Sequence, residues 1–473
     1  MSPFPYISAN TIAMCKLFST AVIAVLFLTS CSNTANTSTT ANDSASKTSS
    51  DSAATVDGHP AWIEQGNVYE VNVRQYTPEG TFNAFAPNLQ RLKDMGVQTL
   101  WFMPVNPISK FGRKGVLGSY YAVSDYDAIN PEYGNMDDWK ALVNKAHSMG
   151  FKVIIDWVPN HTGADHPWLN NHPNFFVKDS TGKPAVAFDW SDVRQLDYKN
   201  TEMQDSMIAA MKYWVKNTNI DGFRCDVAWN VPGEFWKKCI TQLKAAKPGM
   251  FFLAEGDKPY LLQNGFDAFY PWDAFHMMIN VAKGKRLAFA LDSVKARYDT
   301  AYPPAAIPMY FTSNHDENSW NKADYGTMPG ASHAPFAVFT QTFAKSVPLI
   351  YSGQEEPFLD SVSFFYKDTI TMHDYKRAPF YKTLLNLRKS NSALAANASF
   401  KKLRTSNDAA IYAYERQNGA NKVLVVLNLS AKPQKFTWTD QPSEKEWSNV
   451  FLMNKEPALT SIEPWGYAVY ERK

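Results

Sequence analysis

The sequence predicts an α/β chain built on a closed (β/α)8 barrel, with an insert after the third strand and an antiparallel β-sandwich domain at its C-terminal end. Three observations predict this. Between about residues 65 and 390, short apolar runs alternate with amphipathic stretches of helical period, and eight such runs can be counted. No glycine-rich dinucleotide fingerprint follows any of them, which disfavours an open doubly wound sheet. After about residue 393 the pattern becomes one of short strands without helices between them.

Taken in order, from Met14 the chain reads Cys15-Lys16, then an apolar run from Leu17 to Leu28 followed by Thr29-Ser30-Cys31. The run is short for a bilayer span and is preceded by a lysine. It resembles a bacterial lipoprotein signal, so residues 1–31 are expected to end at a lipidated Cys31, which would place the protein in the cell envelope, on its periplasmic or outer face. Residues 32–60 are dominated by Ser, Thr, Ala, Asn and Asp and cannot bury enough apolar area to fold, so they read as a disordered tether. The first part of the barrel spans 61–157. Val68–Val73 is its first strand, a helix covers 82–95, Thr99–Met103 is the second strand, a helix covers 136–149, and Val153–Trp157 is the third strand. Residues 158–200 contain Pro, Asn, His and Trp clusters and no long periodic run, and a connection of that length is usually functional. The rest of the barrel, 201–392, supplies a helix from 201 to 216 and strands at Gly222–Asp226, Met250–Ala254, Ala268–Phe269, Met309–Phe311 and Leu349–Tyr351. Residues 393–473 form the C-terminal β domain, with strands near 410–414, 423–427, 435–438 and 467–470.

The composition excludes some functions. Charged residues are 19% of the chain and the formal net charge is +2, so there is no basic excess suited to nucleic acid. The four cysteines, at 15, 31, 225 and 239, have neither metal-ligand spacing nor the number for a disulfide framework. Aromatic residues reach 14%, with 14 Trp and 23 Tyr, and flat amphipathic rings suit sugar faces as well as cores.

In a (β/α)8 barrel the chemistry sits at the carboxyl ends of the strands. Those ends carry Asp156 with Asn160-His161, Arg224 with Asp226, Glu255, and Asn314-His315-Asp316. Asp226 and Glu255 lie 29 residues apart and Glu255 and Asp316 lie 61 apart. At about 31 residues per strand–helix unit, these are one unit and two. Three carboxylates therefore converge on one rim. In Gly222-Phe223-Arg224-Cys225-Asp226 the guanidinium and the acid fall on one strand face, where the arginine favours the ionised, nucleophilic form of Asp226. Glu255 follows the apolar Phe251-Phe252-Leu253-Ala254, so desolvation is expected to keep its proton. His161 and His315 are expected to be neutral donors.

These motifs resemble, in order, those of the α-amylase family, glycoside hydrolase family 13: Asp156-Trp-Val-Pro-Asn160-His161, Gly222-Phe-Arg224-Cys-Asp226, Phe252-Leu-Ala-Glu255 and Thr312-Ser-Asn314-His315-Asp316. Tyr120-Tyr121, Asn130-Pro131-Glu132-Tyr133-Gly134 and Tyr351-Ser352-Gly353-Gln354-Glu355 extend the resemblance over residues 62–473. It implies a TIM barrel, a B insert and a C-terminal β-sandwich. It implies retaining hydrolysis of α-glucosidic bonds, mainly α-1,4, in starch-derived glucans and maltooligosaccharides. Asp226 would be the nucleophile, Glu255 the acid/base and Asp316 the stabiliser of the distorted sugar. Tyr121 would be a stacking platform, and His161, Arg224, Asn314, His315 and Trp229 would contact substrate. No cofactor is required. Calcium, which many members hold between barrel and insert, would find Asn160, but the acidic ligand position is Gln195 and Asn230 stands in place of a histidine. Val227 and Trp229 leave open an α-1,6-cleaving glucosidase, a cyclodextrin- or pullulan-type hydrolase, or a transglycosylase. A catalytically silent glycan-binding lipoprotein is the alternative of another class.

Overall fold

The computed structural model describes residues 54–322, 328, 330–358 and 360–473. The expected lipoprotein signal, 1–31, and most of the expected tether lie outside the described residues. The end of the tether lies within them and is ordered. Thr55–Val56 pairs with His59–Pro60 across Asp57-Gly58, whose φ angles are 53° and 89°. Asp-Gly is a dipeptide that such tight turns select. His59 is buried and bonds Asp267 (Nδ1···Oδ1 2.9 Å), so the folded body starts before residue 61.

Eight parallel strands form the barrel: β1 (Val68–Val71), β2 (Thr99–Phe102), β3 (Lys152–Trp157), β4 (Gly222–Cys225), β5 (Phe251–Ala254), β6 (Ala268–Phe269), β7 (Ile307–Pro308) and β8 (Leu349–Tyr351). They are ordered β7-β6-β5-β4-β3-β2-β1-β8. Main-chain bonds from Val347 N to Pro308 O (3.3 Å) and from Leu349 N to Tyr310 O (2.9 Å) join the two ends into a ring. All residues of β1, β2, β4 and β5 are buried, as expected for strands covered by helices outside and by side chains inside. Gly222 opens β4 because a Cβ there would lie 2.0 Å from Phe251 O of the neighbouring strand.

Two local expectations change. The stretch 82–95 is not one helix. It runs as Phe82–Phe85, a 3-10 turn Ala86–Asn88 and α1 (Leu89–Met95), because Pro87 has no N–H to continue the ladder. The seventh strand is at 307–308 rather than 309–311. Pro308 offers no N–H, and beyond it only single main-chain bonds continue, such as Met309 N to Phe269 O (3.0 Å). The outer layer includes α2 (Met136–Ser148), α3 (Thr201–Thr218), α4 (Gly233–Ala246), α5 (His315–Asn321), α6 (His333–Thr342) and α7 (Ala378–Ser390). A reciprocal capping box between Asn135 and Asp138 starts α2. In the insert, His161–Gly163 pairs antiparallel with Val193–Gln195, bringing Gln195 opposite His161.

The C-terminal part is a six-stranded antiparallel sheet of β9 (Ser399–Leu403), β10 (Ile411–Asn418), β11 (Asn421–Asn428), β12 (Trp447–Asn449), β13 (Lys455–Glu456) and β14 (Tyr467–Arg472), in the order β9-β10-β11-β14-β12-β13. Alternation divides its faces. Tyr412, Tyr414, Val423, Val425 and Val469 pack with barrel residues including Phe339 and Phe343. Ile411, Ala413, Leu424 and Val426 pack with Phe436 and Ile462. The second set is covered by a ribbon of Gln434–Lys435 and Ser461–Ile462. The expected strand at 435–438 is reduced to that ribbon.

Candidate active site

Strand register aligns the acids. Arg224 of β4 pairs with Asp156 of β3 on one side and with Leu253 of β5 on the other, while Phe223 and Cys225 point outward into the barrel–helix core. Asp226 N donates to Trp157 O (2.8 Å) and Glu255 N to Cys225 O (3.0 Å), so the next residue on each strand also stays in register at the rim.

Arg224 is fully buried and organises the site. Its Nη1 donates to Asp156 Oδ1 (2.9 Å) and Asp226 Oδ1 (3.0 Å), its Nη2 lies 3.2 Å from Glu255 Oε2, and its Nε donates to Tyr270 OH (3.2 Å). The rings of Trp101, Tyr270 and Tyr121 surround the guanidinium carbon at 5.2, 5.3 and 5.7 Å. Val227, directly after Asp226, has φ 44° and ψ 37°, a left-handed conformation that a β-branched residue rarely adopts. The strained turn aims Val227 N–H at Glu255 Oε2 (2.7 Å).

A second chain of contacts crosses the barrel. His315 Nδ1 lies 2.5 Å from Glu70 Oε1 and its Nε2 lies 2.7 Å from Tyr121 OH, which donates to Asp156 Oδ2 (3.1 Å). Asp316, in the first turn of α5, places Oδ2 3.4 Å from His315 Nε2 and keeps about a third of its side chain exposed (35%). Asn314 is the N-cap of α5, its Oδ1 accepting from Glu317 N (2.8 Å). His161, on the insert, packs edge-on against Trp190 (centroids 5.4 Å apart). Outward from Tyr121 runs a row of rings: Phe364 stacks on it at 6.1 Å, and the largely exposed Trp320 lies 5.4 Å beyond. Trp229 is exposed beside Gly256.

The electrostatics correct three expectations, for Asp226, Glu255 and His315. Burial and the neighbouring Glu255 charge push the Asp226 carboxyl well up, despite Arg224. Burial acts upward on Glu255 too, but Arg224 and the Val227 N–H outweigh it and hold Glu255 down. The pair therefore titrates together around one proton, which in this geometry leans toward Asp226 rather than Glu255. Burial lowers His161 to about 4, leaving it neutral. Burial also opposes the charge on His315, but Asp316 and Glu70 prevail and raise it to about 9, so His315 is an imidazolium at neutral pH rather than a neutral donor. Burial lifts Asp156 to about 6 against the pull of Arg224.

Sequence reasoning missed Glu70, Trp101 and Tyr270. Glu70 could have been found, since an acid between Tyr69 and Val71 in an otherwise apolar strand must point into the barrel.

Asn160 does not fit a cation. Its Oδ1 accepts from Asn230 Nδ2 (2.8 Å) and Gln195 Nε2 (3.0 Å), and its main-chain carbonyl accepts from the same Gln195 nitrogen (3.0 Å). Amide N–H groups occupy the lone pairs that calcium would use, and calcium favours several oxygens with carboxylate charge.

The family model for the α-amylase catalytic domain matches residues 34–184 and 178–409, and the model for the α-amylase SusG C-terminal domain matches 411–462. The chain is 27% identical to the α-amylase MalA of Haloarcula japonica over 397 residues, 79% of this chain and 57% of that protein, so it spans little more than half of that relative's length. It is 25% identical to a cyclomaltodextrinase of a Bacillus species, over 78% of this chain and 73% of that protein. A crystal structure of a maltogenic α-amylase from Thermotoga neapolitana superposes with a TM-score of 0.77 at 29% identity, over 86% of this chain and 96% of that one. With the catalytic-domain model covering most of its length, the chain belongs to the α-amylase family, glycoside hydrolase family 13, whose members are hydrolases and transglycosylases of α-glucans.

Proposed function

We propose that the enzyme cleaves α-glucosidic bonds, mainly α-1,4, in starch-derived maltooligosaccharides with retention of configuration. The observation that carries this reading is the seating of Asp226 and Glu255 on the two terminal nitrogens of one buried guanidinium. Retaining glycosidases hold their carboxyls about 5 to 5.5 Å apart, without room for an intervening water, whereas inverting pairs are wider.

In this reading Asp226 attacks the anomeric carbon while Glu255 protonates the departing glycosidic oxygen. Glu255 then takes a proton from the water that opens the Asp226 ester. The proton of the pair must first move to Glu255. A glucosyl unit inserted between the carboxyls replaces their mutual contact and leaves Asp226 facing Arg224, which favours its ionised form. Asp316 and the His315 imidazolium hold sugar hydroxyls, Tyr121 supports the sugar face, and His161, Asn314 and Trp229 border the same cleft. The rings of Phe364 and Trp320, continuing from Tyr121, suit further glucosyl units on that side.

Asp226→Asn should keep the thermal unfolding of the parent and lose about four orders of magnitude or more of reducing-sugar release from maltoheptaose. Turnover within tenfold of the parent would sink the assignment. A second reading, cleavage of cyclodextrins, pullulan or α-1,6 bonds, is favoured by the similarity to a cyclomaltodextrinase and by Val227 after the nucleophile. Product profiles on amylose, pullulan, cyclodextrin and panose separate the two.

We also propose a lipid anchor at Cys31, supported by the apolar run, the small residues before the cysteine and the polar tether after it. Cys31→Ala should move the protein from the detergent-extracted membrane fraction to the soluble one. An unchanged distribution would reject the anchor.

A further inference from the structure

The chain is polar after β1 at a point where burial is nearly complete. Asn72 leads into a single helical turn, Val73–Tyr76, whose residues are all buried and include Arg74 and Gln75. A buried guanidinium and a buried carboxamide are costly unless they find partners, so their partners show what the turn holds.

Arg74 reaches two loops at once. Its Nη1 donates to Gly118 O (3.0 Å) and to Phe364 O (3.3 Å), and its Nη2 donates to Leu117 O (3.3 Å). Leu117 and Gly118 belong to the loop after β2, which carries Tyr121, and Phe364 belongs to the loop after β8. The guanidinium also stacks on Tyr120 (4.0 Å to the centroid), and Tyr120 packs edge-on against Phe364 (5.4 Å). Glu132 Oε2 is 4.0 Å from Nη2, so carbonyls rather than a carboxylate hold the group most closely. Gln75 grips the β8 loop on both sides of Phe364. Its Nε2 donates to Ser363 O (2.9 Å) and Tyr366 O (2.8 Å), and its Oε1 accepts from Asp368 N (2.7 Å). Its main-chain carbonyl accepts from Ile370 N (2.7 Å). Lys367 Nζ reaches back to Thr77 O (2.6 Å) and to the carbonyl of Arg74. Among the described residues no helix or strand lies between β8 and α7, so these bonds take the place of regular structure. Their result is that the Tyr121 and Phe364 rings lie 6.1 Å apart and 19° from parallel.

We infer that Arg74 and Gln75 are positioning residues, which clasp the loops after β2 and β8 so that Phe364 is set against Tyr121 before substrate arrives. This rests on the reading of Asp226 and Glu255 as the cleaving pair, with Tyr121 beneath the sugar being cleaved. Without the clasp, ring and loop would be ordered only on binding, and that ordering costs affinity. The cost falls on substrates long enough to reach Phe364 and spares a donor of one glucosyl unit. It appears in KM, because a contact made equally in ground state and transition state changes KM and leaves kcat alone.

The test compares maltoheptaose with the one-unit donor α-glucosyl fluoride. It reads the ratio of their kcat/KM values, in which any unfolded fraction cancels. Gln75→Leu keeps the volume and removes the three side-chain bonds of Gln75. Arg74→Lys keeps the charge but loses the planar fork that serves both loops. In each variant the ratio should fall on the order of tenfold, through KM for maltoheptaose, with the fluoride kinetics kept. Lys367→Met, at an exposed position, should lower it about threefold and decides the matter where a buried variant does not fold. Phe364→Ala should also lower the ratio, and adding Gln75→Leu to it should lower it little further, because Gln75 acts through that ring. Equal losses on both donors, an unchanged ratio, or additive losses in the double variant would overturn the inference and leave the catalytic reading intact. A parent inactive on both donors would overturn the catalytic reading and the inference with it.

Discussion

At the residue scale, His315 is where charge and geometry meet most sharply. As an imidazolium it donates from both nitrogens: Nδ1–H to Glu70 and Nε2–H to Tyr121 OH, which is then free to donate to Asp156. Protonation thus sets the direction of the whole relay, and loss of the proton frees the Tyr121 hydroxyl to turn away from Asp156. Because the folded value is raised from 6.5 to about 9, the stabilisation from this proton is complete below pH 6.5 and is lost as pH rises toward 9. Activity on maltoheptaose should show an alkaline limb near pH 9. Replacing the buried Glu70 with Gln removes one of the two acids that hold the proton, so that limb should move down by about a unit or more in a kcat/KM–pH profile. An unmoved limb would show that Glu70 does not set the state of His315.

At the scale of elements, the insert is joined to the barrel by neutral amides. Asn160 after β3, Gln195 on the returning insert strand and Asn230 after β4 bond one another at a position where the resemblance offered a cation. Gln195→Glu keeps the side chain's length but replaces the two N–H donations to Asn160 with a carboxylate facing its carbonyl oxygens. In chelator the variant should lose about 2 kcal/mol of stability, the cost of leaving buried acceptors unpaired. Added calcium should restore the loss in the variant and leave the parent's Tm unchanged. A parent Tm that falls in chelator would refute the amide link. The same elements show what was legible beforehand. Four strand-end motifs and their spacing were readable because each pairs an apolar run with polar residues at its carboxyl end. Tyr270 after β6 was not, since a single polar residue next to a short strand carries no periodic signal, whereas Glu70, an acid inside the apolar β1, was open to reading and was missed. β9, with Ser399-Phe400-Lys401-Lys402-Leu403, and the three-residue β12 are held by their neighbours in the sheet rather than by patterning of their own.

At the scale of the whole molecule, two buried arginines bond main-chain carbonyls and form no ion pair among the described residues, and one of them fastens the barrel to the C-terminal sheet. Arg416 of β10 donates from Nε to Ser399 O (3.0 Å), from Nη1 to Thr342 O (3.1 Å) and Phe343 O (2.5 Å), and from Nη2 to Ala395 O (2.7 Å). Thr342 closes α6 and Phe343 follows it, so one guanidinium gathers the end of a barrel helix, the connecting segment and a sheet strand. Arg388 of α7 does the same for the underside, bonding Gly66 O (2.6 Å) before β1 and the carbonyl of Ser346 before β8. Burial lowers both side chains, Arg388 to about 9 and Arg416 to about 10, yet each supplies donors to carbonyls that have left regular structure. The apolar face carrying Tyr412, Tyr414 and Val469 packs on the same helix end and buries a continuous surface there. The sheet should therefore act as part of the barrel's core rather than as an appended module. Arg416→Met fills comparable volume but removes a donor from four carbonyls, of which Phe343 O and Ala395 O keep a main-chain N–H from Ser346 and Ala398, and should destabilise the protein by on the order of 2 kcal/mol in urea unfolding. It should do so within a single transition, with fluorescence and far-ultraviolet dichroism coinciding. Two separated transitions, the sheet melting first with the barrel still cleaving maltoheptaose, would show instead that the two parts fold independently.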